Sequence, residues 1–295
     1  MPEGPTSGDD VFEGNRTLLF SVAYRMLGSV AAAEDTLQEA WLRWSRVDRS
    51  TVTEPRAYLV KLTTRAAIDR LRREKAAREV YVGTWLPEPL LTAPDVAEEA
   101  ALADSVSMAM LVVLETLSPL ERSVFVLREA FGFDHAEIAR VLDRSEESVR
   151  QLAHRARRHV EARRPRFESD RQVRRRATER FLEAAVGGDL NALMEVLAPE
   201  VTLWSDGGGK VRAPRRPIEG ADKVARFFAA VAGDAPPGSA FRLVEVNGGP
   251  AILVHLAGVP ITVATVDVDP DGRGISAIHL IAAPEKLAAV TPDTT

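Results

Sequence analysis

Apolar residues recur at helical spacing near the start of the chain. Leu19, Ala23, Met26, Leu27 and Val30 form one stripe, and Ala33, Leu37, Ala40, Trp41 and Trp44 form a second. Gly28-Ser29 separates the two, and the polar stretch 48–55 ends the second. Pro55 stands where a first helical turn tolerates proline, and the spacing from there predicts a helix through Leu59, Leu62, Ala66 and Leu71. With the second stripe buried, Glu34, Asp35, Gln38, Glu39 and Arg43 point outward as a polar face. Residues 10–80 therefore read as one helical unit.

A linker, 81–107, follows. It opens on Trp85-Leu86-Pro87-Glu88-Pro89, in which Trp85 is an apolar knob suited to docking on a neighbouring surface. Its acidic stretch (Asp95, Glu98, Glu99, Asp104) has few aromatics and reads as mobile. A second helical unit covers 108–164, and Arg163-Arg164-Pro165 marks a boundary. Beyond it the pattern changes. Helices are expected at 171–186, ending at Gly187-Gly188, and at 190–197. Strand-like runs follow at 201–205, 241–246, 251–256, 261–268 and 275–281, with a helix at 221–231 among them. That order suggests helices on one face of a curved antiparallel sheet.

Residues 136–156 (AEIARVLDRSEESVRQLAHRA) have the pattern of a helix-turn-helix. Small Ala139 lets two helices approach, with Ile138 and Leu142 facing inward. Asp143-Arg144-Ser145 makes the turn, Ser145 is the expected N-cap, and Val149, Leu152 and Ala156 fill the inner face of the second helix. Glu146, Glu147, Arg150, Gln151, His154, Arg155 and Arg158 are left outside. Arg and Gln can pair with base edges, and Arg155 and Arg158 can meet phosphates. Glu147 can accept from a cytosine amine, but the two glutamates repel phosphate and weaken unaided binding. This suits a protein that reads DNA only within a larger complex.

Composition sharpens this picture. The chain has 45% hydrophobic and 27% charged residues with a net charge of -5, so it is no uniformly basic nucleic-acid coat. Its positive charge lies in two clusters, 56–78 and 150–180, which suggests two places where phosphate is met. There is no cysteine, which excludes disulfides, thiolate metal sites and thiol redox sensing. No metal site and no cofactor are expected. A polar, acidic N-terminus and the lack of a membrane-length apolar run predict a cytoplasmic protein with no membrane partner.

The helix-turn-helix, preceded by LSPLERSVFVLREAFGFDHAEIA, resembles region 4 of the extracytoplasmic-function sigma factors, which recognises the -35 promoter element. GSVAAAEDTLQEAWLRW is similar to their region 2 segment that binds the polymerase clamp, and PRAYLVKLTTRAAIDRLRRE to the segment at the -10 element. The resemblance implies core RNA polymerase (clamp helices and flap) and promoter DNA as partners. It places Glu34, Asp35, Gln38 and Glu39 on the polymerase, and Lys61, Arg65, Arg72 and Arg73 along the separating promoter strand. A flipped -10 base is expected near the loop at 47–55. Many relatives have Asn where this chain reads Thr64-Arg65.

The tail, 170–288, resembles a SnoaL-like domain of the NTF2-like superfamily, an α+β cone. Three short motifs carry that likeness: WLPEP (Trp85, Leu86, Pro87, Glu88, Pro89), DGGGK (Asp206, Gly207, Gly208, Gly209, Lys210) and APEKL at 283–287, where NPDKL is more usual. The first two are the expected regulatory sites. The fold class expected is therefore multidomain, with two all-α sigma domains (10–80 and 108–164) followed by the α+β cone. The implied function is a sigma factor whose fused tail replaces a separate anti-sigma protein.

Two alternatives stay open: a stand-alone helix-turn-helix regulator, and an enzyme with a DNA-binding appendage. Related folds include isomerases, whose acid-base candidates here would be Asp206, Glu245, His255 and His279, but spacing assigns no pair among them. No catalytic residue is assigned. A small-molecule ligand in the C-terminal pocket is also left open.

Overall fold

The computed structural model describes residues 8–92, 106–163, 170–269, 271–272 and 274–290. The acidic stretch at 95–104 lies outside them. The chain divides into two compact units, one of Met1–Glu79 with Val113–Arg163, the other of Val80–Val112 with Arg164–Thr295. The linker segment 80–112 thus belongs with the C-terminal unit. Among the described residues no helix is long and apolar enough to cross a membrane.

In the first unit, helices α1 (Gly8–Glu13), α2 (Arg16–Leu27), α3 (Val30–Trp44) and α4 (Pro55–Glu79) follow the two stripes. Gly28 closes α2 at φ 66°, a conformation glycine adopts without a Cβ clash, and Ser29 caps α3 by accepting from Ala32 N at 3.2 Å. Ala33, Leu37, Ala40 and Trp44 are buried as expected. Trp41 is not: it is 37% exposed, because the 33/37/40/44 row leaves it at the stripe's edge. Thr36 takes its place inside, with its hydroxyl donating to Ala32 O at 2.7 Å.

Helix α5 (Met108–Leu114) runs across the division between the units. The rest of the first unit is α6 (Pro119–Phe125), a π-turn over Val126–Ala130, α7 (His135–Leu142) and α8 (Glu146–Glu161). Capping boxes start α6 (Ser118 with Glu121) and α7 (Asp134 with Glu137). Ser145 caps α8 by accepting from Ser148 N, and the turn before it holds Asp143 at φ 50°. Ile138, Ala139, Val149, Leu152 and Ala156 pack inward. Leu142 is only half-buried, and Val141 fills the inner position instead.

The C-terminal unit has α9 (Arg171–Gly187), α10 (Leu190–Val196), β1 (Leu197–Asp206), β2 (Ile218–Glu219), α11 (Ala221–Gly233), β3 (Ser239–Val246), β4 (Gly249–Leu256), β5 (Val259–Val268), β6 (Ile275–Ile281) and α12 (Pro284–Leu287). The sheet order is β2-β1-β6-β5-β4-β3. The expected all-antiparallel sheet needs correcting, because β1 and β6 run parallel. β1 also begins at Leu197, earlier than its 201–205 apolar core suggests, and the short β2 and α12 had no sequence signal long enough to read.

Strand alternation sends side chains to two faces. On one, Leu203, Ile252, Val266 and Ile278 pack with Phe181, Leu193, Val224 and Phe228 of the helices, with Phe181 and Phe228 edge to face at 4.9 Å. On the other, Leu253, Val263 and Ile281 pack with Leu86 of the linker, Met108 and Leu287. One face is thus an ordinary core. The other is closed by the linker.

Candidate functional site: the linker junction and the basic helices

Asp206 ends β1 on the linker-covered face and is fully buried. Its carboxylate accepts four hydrogen bonds: from Tyr81 Oη at 2.6 Å, Gly208 N at 3.0 Å, Leu86 N at 2.8 Å and Lys286 Nζ at 2.6 Å. Lys286, also buried, donates as well to the Leu86 carbonyl and lies 4.0 Å from the centre of the Trp85 ring. The three motifs WLPEP, DGGGK and APEKL therefore meet at one ion pair. A buried charge is tolerated only when paired and hydrogen-bonded, and each charge here has both. Burial and the Asp206 carboxylate push the Tyr81 phenol well above its ordinary range, so its hydroxyl remains a donor.

The remaining regulatory candidates surround this pair. Leu86, Pro87, Glu88 and Pro89 are buried and Trp85 is partly so. Past them the linker pairs with the β3–β4 hairpin, through Thr92 N to Glu245 O and Asn247 N to Leu90 O, both at 2.9 Å. Lys210, exposed, pairs with Glu285 at 3.1 Å. The sequence reading missed Tyr81 and Lys286. The lysine of APEKL was the available signal, since it recurs within a motif tied to the linker and the glycine loop.

Two of the four acid-base candidates are otherwise engaged. Asp206 is saturated with donors, and Glu245 pairs with Arg171. His279 is buried against Trp204, ring centres 5.3 Å apart, with Nδ1 at 3.6 Å from Asp267. Burial lowers the His279 pKa and raises that of Asp267, which favours the neutral form of each. His255 lies on β4, its Nδ1 buried without a partner among the described residues.

In the first unit the two basic sets meet unequal fates. Lys61 Nζ pairs with Asp143 of the helix-turn-helix at 3.0 Å; Arg65 pairs with the same carboxylate and donates to Val141 O at 3.2 Å. Arg122 of α6, buried, donates to Arg25 O of α2 at 3.0 Å and pairs with Glu115, while burial draws its pKa down to about 9. Helices α4 and α2 are thus fastened to the helix-turn-helix segment. Arg72 and Arg73 stay exposed, and among the described residues their hydrogen bonds go to Asp69.

On α8, Glu147, Gln151, His154 and Arg158 are exposed, Arg150 pairs with Glu146, and Arg155 Nε reaches Glu121 at 3.2 Å. On α3, Glu34 pairs with Arg16 at 2.7 Å, Asp35 with Arg70 at 3.1 Å and Glu39 with Arg43, and Gln38 is exposed.

The Asp143 contact can be tested by itself. Asn tolerates the left-handed conformation but has no charge, so Asp143→Asn keeps the turn and removes the clasp. Lys61 and Arg65 hold the Asp143 carboxyl below its ordinary value of 3.8. Its contribution is therefore fully present above that pH and lost only as pH falls through the lowered pKa. Salt screens an exposed pair at any pH. Because the chain has no cysteine, dyes on cysteines introduced at Arg56 and Glu161 report the separation of α4 and α8. Energy transfer should be constant from pH 8 to 5 and should fall with added salt and in Asp143→Asn. Unchanged transfer in that variant would rule out a clasp.

Comparison with known proteins matches three family models along the chain: Sigma-70 region 2 at residues 11–77, Sigma-70, region 4 at residues 107–160, and SnoaL-like domain at residues 178–282. "ECF RNA polymerase sigma factor SigJ" of Mycobacterium tuberculosis is 40% identical over 255 residues, 84% of this chain and 81% of that protein. "Probable ECF RNA polymerase sigma factor SigI" of the same species is 31% identical over 280 residues, 94% of this chain and 93% of that one. The crystal structure of M. tuberculosis SigJ superposes with a TM-score of 0.77 at 36% identity, covering 94% of this chain and 97% of that one.

Proposed function

The chain belongs to the extracytoplasmic-function sigma factors of RNA polymerase that carry a SnoaL-like C-terminal domain, and from that premise we propose that its tail sets promoter output by holding the linker between regions 2 and 4. Sigma-factor homology implies core RNA polymerase and promoter DNA as partners. We assign residues 10–80 to region 2, 108–164 to region 4 and 170–288 to the regulatory domain. In the polymerase-bound form Glu34, Asp35, Gln38 and Glu39 meet the clamp helices and region 4 meets the flap. Lys61, Arg65, Arg72 and Arg73 track the -10 strand, while Glu147, Arg150, Gln151, His154, Arg155 and Arg158 face the -35 groove.

Distance supports a required opening. Elements at -10 and -35 lie about 25 base pairs apart, roughly 85 Å at 3.4 Å per base pair. Lys61 and Asp143 are 3.0 Å apart. A unit closed in this way brings only one of its two DNA faces to a promoter at a time, and the -10 cations Lys61 and Arg65 are occupied. Opening is a two-state change of packing.

The observation that carries the regulatory reading is the Asp206–Lys286 pair gripping Leu86. It anchors the only covalent connection between the two sigma regions in the regulatory domain. The tail is read here as a regulator, with Asp206 spent on the linker and Glu245 on Arg171. Residue choice matters for the test. Asp206→Ala disturbs the fold of the junction, so it cannot serve as a probe of an exposed turn; Lys210, 64% exposed, can. Lys210→Ala should leave unfolding unchanged and alter run-off transcription with core polymerase. Transcription equal to wild type would show that Lys210 only decorates the loop.

A further inference from the structure

A cavity of about 150 Å³ lies in the C-terminal unit, separate from the Asp206 pair, lined by Val82 and Gly83 of the linker, Ser205, and the loop from Gly207 to Arg215. Two cations, Arg212 and Arg215, line it. Both are exposed, and neither has an ion-pair partner among the described residues. Ser205, 2% exposed, borders it as well, with its hydroxyl closed off from the open space. Two unneutralised guanidinium groups beside it give the cavity a positive sign.

The wall is glycine for steric reasons. A Cβ on Gly207 would lie 2.8 Å from Ala213 Cβ, and one on Gly209 would lie 3.2 Å from Val82 Cβ. Main chain therefore borders the cavity where side chains would fill it. Gly83, at φ 93°, brings the linker backbone against Arg215, with 3.6 Å from its built Cβ to the Arg215 Cα. The cavity exists only while the linker is seated.

We propose that this cavity binds a small tetrahedral oxyanion, inorganic phosphate or the phosphate of a compact monoester, through Arg212 and Arg215. Planar guanidinium groups bind phosphate oxygens in pairs. The volume admits a phosphate with a few further heavy atoms. Binding favours the seated linker, because only that state has the complete wall. This goes beyond the regulatory reading above and rests on it only for the consequence, since binding is measured without transcription.

The test is calorimetric titration of the full-length protein with inorganic phosphate at fixed ionic strength, with glycerol phosphate as a second arm and acetate as a third. Saturable phosphate binding is expected, weakened at least about tenfold in Arg212→Gln/Arg215→Gln, since two charge-assisted contacts are lost. Tighter glycerol phosphate would identify a monoester as the ligand, and equal or weaker binding would identify free phosphate. Amide exchange at Val82 to Leu86 should slow when phosphate is bound. No saturable binding, equal affinity for acetate, or full affinity in the double arginine variant overturns the proposal.

Discussion

Asp206→Ala is expected to destabilise the C-terminal unit by about 3–5 kcal/mol, the usual cost of stranding one member of a buried ion pair. The carboxylate serves four donors, and its loss removes the charge that pairs with the buried Lys286 ammonium. Lys286→Met should cost a similar amount by stranding Asp206. The double change Asp206→Leu/Lys286→Met should recover part of the loss, because a matched apolar pair has no buried charge. Recovery stays incomplete, since Tyr81 Oη and Leu86 N still lack an acceptor. Urea unfolding gives the energies, and exchange of the Leu86 amide reports whether the linker has left. A loss below about 1 kcal/mol in Asp206→Ala would mean that the pair contributes little more than an exposed one.

Neutralising Lys61, Arg65, Arg72 and Arg73 together should abolish most promoter opening by the polymerase complex. Each phosphate contact on a single strand contributes about 0.7 to the salt slope of binding, so removing four should flatten it by roughly 2 to 3. The effect on the free protein differs within the set. Among the described residues Arg72 and Arg73 bind Asp69, whereas losing Lys61 and Arg65 also strips the partners from Asp143. Arg72→Ala/Arg73→Ala should therefore weaken DNA binding without opening the closed unit. Lys61→Ala/Arg65→Ala should do both. A slope unchanged in the fourfold variant would remove this helix from the DNA path.

Much of this was legible in the chain. Period and capping residues located the first helices because their stripes are long and Gly28, Ser29 and Pro55 mark their ends. The helix-turn-helix could be placed, with Ser145 as its N-cap, although Val141 rather than Leu142 proved to be the inner residue. Trp41 was misread because a 3.6-residue period leaves edge positions undecided, and burial there depends on neighbours that spacing does not reveal. The parallel β1–β6 pairing was invisible for a similar reason. Strand alternation shows which residues share a face and carries no information on which strands are adjacent. The linker motif, the glycine loop and the C-terminal turn were each recognisable as motifs. Their meeting at Asp206 and Lys286, separated by 80 residues in sequence, is a tertiary fact. The pairing of Asp143 with Lys61 and Arg65 was hidden too, since a turn acid and a DNA-facing cation each have an adequate local explanation.

The central claim is that this sigma factor's promoter output depends on whether its linker is seated in the C-terminal unit. It is tested most directly by run-off transcription with core polymerase and the full-length protein, comparing wild type with Trp85→Ala, which removes the ring stacked on Lys286 and leaves both DNA-facing sets intact. Promoter-dependent transcripts are expected from both proteins, at clearly different levels. Equal output from the two, with faster amide exchange confirming that the linker has come loose in the variant, would contradict control through the linker, and no promoter-dependent transcript from either would contradict promoter recognition itself.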